Sequence, residues 1–106
     1  MLERTAQLEQ AEENLSQLRR SIQIDIEKAT RKLNRAETAL ASARESLASA
    51  MESRRVTSDQ VETGTANRSS LLDTEATLLS AQSDLLQAEY DRSVAAADLA
   101  RLSGAR

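Results

Sequence analysis

A row of apolar residues, stepping alternately by three and four positions, runs through most of this 106-residue chain. It passes through Leu8, Ala11, Leu15, Leu18, Ile22, Ile26, Ala29, Leu33, Ala36, Leu40, Ala43, Leu47 and Ala50. A second row follows through Leu78, Ala81, Leu85 and Ala88, and resumes with Ala95, Leu99 and Leu102. Such spacing puts every member on one face of an α-helix; a strand, whose side chains alternate with a period of two, has no use for it. No proline is present, and the only glycines are Gly64 and Gly104, so neither row contains a helix breaker. The one doubled step of four, Leu18 to Ile22 to Ile26, is a stutter that relaxes a left-handed supercoil without ending the helix.

The expected fold is therefore all-α, a long antiparallel two-helix coiled-coil hairpin forming a single unit over residues 1–106. Helix one is expected at about 1–56, roughly 80 Å long at 1.5 Å per residue. A polar tip turn follows at about 57–68, and helix two at about 68–103. Residues 40–46 (LASARES) and 47–53 (LASAMES) are nearly one heptad written twice, a coiled-coil repeat. The expected seam comprises Leu15, Leu18, Ile22, Ile26, Leu33, Leu40 and Leu47 of helix one. From helix two it takes Leu72, Leu78, Leu79, Leu85, Leu86 and Leu99. Alanines in such a seam let two helices approach closely, and leucines fill the space between them. The doublets Leu71-Leu72, Leu78-Leu79 and Leu85-Leu86 widen the stripe beyond what one antiparallel partner covers, which points to a second neighbour.

The break between the rows is the polar stretch TSDQVETGTANRSS, residues 57–70. Gly64 can adopt a positive φ and end the first helix, while Asn67, Ser69 and Ser70 are candidate N-caps for the second. Ser70 with Asp73 reads as a variant capping box. Folding the chain at Gly64 brings the far end of helix two back only to about residue 24. Leu2, Leu8, Leu15 and Leu18 then have no partner within the chain, and self-association is expected.

Chemistry-bearing residues are sparse. With no His and no Cys, the chain lacks the commonest general base, thiol nucleophile and transition-metal ligands. Adjacent carboxylates such as Glu12 and Glu13 need a concave, partly dry pocket to be tuned for catalysis, and a hairpin offers none. No catalytic, metal-binding or cofactor-binding residue is nominated. The net charge of −3 is mild and both signs are interspersed. The basic residues Arg19, Arg20, Lys28, Arg31, Lys32 and Arg35 alternate with Asp25, Glu27 and Glu37, as on a solvated helix face, so no nucleic-acid partner is expected. Nowhere do about 18 apolar residues run together, and Met1 is followed by charged residues and not by a signal peptide's apolar core.

The stretch from Gly64 to Gly104 carries a resemblance. Gly64-Thr65 at the turn, then Leu72-Asp73, the Leu78/Ala81/Leu85/Ala88 row, Tyr90, Leu99 and Gly104 resemble the last periplasmic helix of the TolC-like outer-membrane efflux channels. The resemblance implies that three subunits build a periplasmic tube of paired helices, an α-barrel through which small molecules or proteins are exported. It implies a periplasmic location in a Gram-negative outer-membrane protein, with membrane strands and export signal in other parts of the parent chain. It also implies that a periplasmic adaptor protein of a tripartite pump docks on the hairpin tip, nominating Gly64 and Thr65 with Val61 and Arg68 beside them. Val61 stands where the family often has Tyr, and Thr63 where Val often precedes the glycine; both departures bear on the choice of adaptor. Two other readings remain open on the residues alone: the α-hairpin of the adaptor, and a purely structural coiled coil. The adaptor's Arg, Leu and Ser tip pattern is absent here, since Arg54 and Arg55 are followed four residues on by Ser58 and Asp59.

Overall fold

A computed structural model describes residues 2–104, and it is an antiparallel pair of helices. Helix α1 spans Leu2–Glu62 and helix α2 spans Arg68–Leu102. The molecule is a rod of 94 × 21 × 14 Å. Two helices lying side by side form one layer, so the core is a line of contact between them.

The register of that line is fixed by two ion pairs between the helices, Arg54 to Glu75 at 3.5 Å and Arg92 to Glu37 at 3.7 Å. In both pairs the residue numbers sum to 129, so, to within one residue, Leu33 lies level with Ala95, Leu40 with Ala88 and Leu47 with Ala81. In the same register Ala29 meets Leu99, Ala43 meets Leu85 and Ala50 meets Leu78. Each leucine of one helix thus faces an alanine of the other. The buried residues among those described are Ala29, Leu40, Ala50, Ala81, Ala88 and Ala95, with Ala95 only 1% exposed. The leucines Leu33, Leu47, Leu78, Leu85 and Leu99, with Ile26, are half-buried, because no second layer closes over their outer edges.

Three sequence expectations are corrected. Residues 57–62 are helical and not part of the turn, so α1 runs to Glu62 and the break is confined to 63–67. Thr57, Ser58 and Val61 continue the seam row and are half-buried against α2, so packing outweighs the modest helix propensity of this polar stretch. Of the three candidate N-caps α2 uses Asn67, so the capping box read for Ser70 with Asp73 does not form; Ser70 is the residue three places inside the helix that the cap serves. Finally, the broad seam separates into three parts. Leu15, Leu18 and Ile22 lie beyond the end of α2 and are exposed, whereas Leu72, Leu79 and Leu86 are 64–67% exposed on a face of α2 turned away from α1.

In this register Leu102 lies level with Ile26, close to the limit expected from helix lengths. Residues 2–25 of α1 therefore extend past α2 as a bare helix of about 36 Å.

Leu40→Ala should lower the unfolding free energy by about 2–3 kcal/mol, the low end for a buried leucine, because its site is open at the edges. Leu79→Ala should change it by less than about 0.5 kcal/mol. Urea unfolding followed by circular dichroism, at concentrations that keep the chain monomeric, checks both.

Candidate functional site

The tip is where the chain departs from helix geometry, and its polar groups are almost entirely used internally. Gly64 takes φ +81, the left-handed conformation that costs a non-glycine residue about 1 kcal/mol or more. That turn lets the Thr65 N–H donate to the Gln60 carbonyl at 2.8 Å and the Gly64 N–H donate to the Val61 carbonyl at 3.2 Å. These two bonds make a Schellman motif, which satisfies carbonyls that a helix end otherwise leaves open. The Gln60 carbonyl also accepts the Ala66 N–H at 3.2 Å. The Thr63 and Thr65 hydroxyls both lie 3.2 Å from it and 3.2 Å from each other.

On the other side of the turn, Asn67 Oδ1 accepts the Ser70 N–H at 2.9 Å and the Ser70 hydroxyl at 3.0 Å. This is N-capping with a second donor from the same serine. Behind the turn, Arg55 bridges Glu52 at 2.6 Å and Asp59 at 3.2 Å. The hydrogen bond from Arg55, and then its charge, hold the Glu52 carboxyl below the usual carboxylate range. The Arg55 guanidinium is raised by the same contact.

What the tip leaves for a partner is a shallow groove lined by Ser58, Val61, Glu62, Arg68, Leu71 and Leu72. Val61, Leu71 and Leu72 supply apolar surface. Glu62 and Arg68 stand on its rim and form no ion pair among the described residues. Next to the groove, a Cβ placed on Gly64 would meet nothing within 4 Å, so the outer side of the turn is open to an approaching surface. Of the four tip residues nominated from sequence, Val61 and Arg68 share the groove, and Gly64 and Thr65 form the adjoining turn. Ser58 also lies in the polar tip stretch, whereas Leu71 and Leu72 were not nominated as part of the tip. The Leu71-Leu72 doublet was read as widening the stripe toward a second neighbour, with Leu72 alone placed in the seam.

From the tip groove along α2, Leu72, Leu79 and Leu86 recur every seven residues, and Tyr90 (66% exposed) prolongs the stripe. None of the described helices is long and apolar enough to cross a membrane. The rod, its single-layer seam and its outward leucine stripe suit a wall element that packs against further helices. Residues 3–105 match the sequence profile of the outer membrane efflux protein family. The chain belongs to that family. Outer membrane efflux proteins are transport proteins of the Gram-negative outer membrane, so the hairpin is a segment of such a channel. No curated protein and no solved structure matches the chain.

In this efflux-protein hairpin Gly64→Ala should cost about 1 kcal/mol through backbone strain alone, since space for the methyl group is free. Asn67→Ala should cost a similar amount, about 1 kcal/mol, by removing the cap. Thermal melts of the two single variants and of the double variant check these values, and the two effects should add to within about 0.5 kcal/mol if turn and cap act independently.

Proposed function

We propose that this hairpin is the periplasmic α-barrel tip segment of a trimeric outer-membrane channel, exporting small molecules or proteins and docking a periplasmic adaptor of a tripartite pump through its tip. The observation that carries the reading is the outward stripe of Leu72, Leu79, Leu86 and Tyr90. A helix in a closed tube has a neighbour on each side, and so needs two apolar faces. Helix α2 has both: the seam against α1 and this second stripe.

The tip groove supports the docking part of the reading. Its turn is held by its own hydrogen bonds, its floor is apolar, and Glu62 and Arg68 are free to orient a partner by charge. A helical hairpin with an apolar side chain at its own tip, flanked by residues of opposite charge, fits such a groove. The family match over residues 3–105 favours the channel over the adaptor reading and over a purely structural hairpin.

Two variants in the full-length channel test the docking role. Arg68 begins α2, so Arg68→Glu places a negative charge at the positive end of the helix and should not weaken the fold. Trimer assembly should be unchanged while adaptor binding, read by surface plasmon resonance, falls about tenfold or more. Gly64→Leu should lower binding further, with a small loss of thermal stability. Normal export and adaptor binding by both variants would overturn the docking assignment.

A further inference from the structure

The seam that joins α1 to α2 is periodic, and a periodic seam has more than one register. Leu33 lies level with Ala95, Leu40 with Ala88 and Leu47 with Ala81. Sliding α2 by one heptad, about 10 Å at 1.5 Å per residue, sets Leu40 against Ala95, Leu47 against Ala88 and Ala50 against Leu85. Leucine again meets alanine, so packing alone separates the two registers poorly.

The turn does not separate them by itself either. A slide of one heptad moves the turn along the chain by three or four residues. Ser70 lies three residues past the Asn67 cap, and Asp73 three residues further on, in the spacing of a capping box. The sequence thus holds a second start for α2 at the place the slid register needs. The cost of using it is Gly64 inside a helix, without the left-handed turn it makes here.

One arginine in each seam row distinguishes the registers. On α1 the every-seventh row reads Ile26, Leu33, Leu40, Leu47, Arg54, Val61; on α2 it reads Leu71, Leu78, Leu85, Arg92, Leu99. Each arginine stands where a leucine would continue the row. Each reaches, half-exposed, to a glutamate of the other helix, Arg54 to Glu75 and Arg92 to Glu37. A heptad slide toward the Ser70 start breaks both pairs and brings Arg92 level with Arg44. A slide the other way also breaks both, and brings Arg54 level with Arg68. Either way, two attractions are exchanged for a repulsion.

We infer that Arg54 and Arg92 are a register lock, which holds the hairpin against a one-heptad slide to a second form whose α2 starts at Ser70. A polar residue in an apolar coiled-coil seam specifies register at a cost in stability, and here each helix gives up one leucine position to it. The lock is a property of the paired helices and does not rest on the channel reading.

Intramolecular disulfides report the register, because the chain has no cysteine of its own. Ala50→Cys with Leu78→Cys spans the register described above, and Ala50→Cys with Leu85→Cys spans the slid one. A disulfide needs its Cα atoms within about 7 Å, so a register one heptad away does not close the pair. Under mild oxidation of dilute protein, with both arginines in place, the first pair should close at least about tenfold faster than the second. In the Arg54→Leu/Arg92→Leu background the second pair should close at least about tenfold faster than before. The thermal midpoint of the cysteine-free leucine variant should hold or rise, so that register is lost while stability is kept. Arg54→Lys/Arg92→Lys, which keeps both charges, should restore the preference for the first pair. An unchanged rate for the second pair in the leucine background would overturn the proposal, because the turn would then set the register alone. A lowered midpoint with no slid disulfide would also overturn it, since the arginines would then only support the fold.

Discussion

Everything in this molecule hangs on one contact, leucine against alanine across a single helix–helix line. The alanines bring the backbones close, and the leucines then cover one another's flanks with most of their inner surface. A thicker domain shields its core with further layers. Here every seam leucine but Leu40 remains partly in water, and the six buried residues among those described include five alanines. Stability must accumulate from many modest contacts along the rod, with the partly exposed ion pairs Arg54–Glu75 and Glu37–Arg92 contributing little beyond register.

The same geometry explains why so much of α1 and α2 is apolar on the outside without being misfolded. A rod 21 × 14 Å in section cannot hide two stripes on one helix. The seam stripe is covered within the hairpin, while Leu72, Leu79 and Leu86 of α2 and Leu8, Leu15, Leu18 and Ile22 of α1 stay exposed.

The helical content, the glycine on which the chain turns and the pairing register were legible in the sequence because period and breaker residues agreed: no proline, Gly64 between two rows, and lengths that place the end of α2 near residue 24. Two features were not. The polar run at 57–62 has weak helix propensity, and Thr57, Ser58 and Val61 are half-buried in the structure, a tertiary environment that a linear pattern does not carry. The leucine doublets announced a wide stripe, and although the row of three and four steps ran through Leu78 and Leu85, Leu79 and Leu86 were placed in the seam with them. Leu71, Leu78 and Leu85 turn inward; Leu72, Leu79 and Leu86 do not. At the tip, Asn67, Ser69 and Ser70 were equivalent as caps on chemistry alone, and the Schellman turn at Gly64 decided among them by fixing where the next helix begins.

That turn has one more consequence. With the Gln60 and Val61 carbonyls, the threonine hydroxyls and the Asn67 amide all engaged within the tip, the loop has few alternative conformations to give up. A partner that binds it loses little to ordering the backbone, so more of the contact energy survives as affinity. Encounter is also governed by diffusion and charge, without waiting on a rearrangement. A short loop between two long levers thus behaves as a rigid end-piece, and any selectivity it has must come from the shape and charge of its side chains.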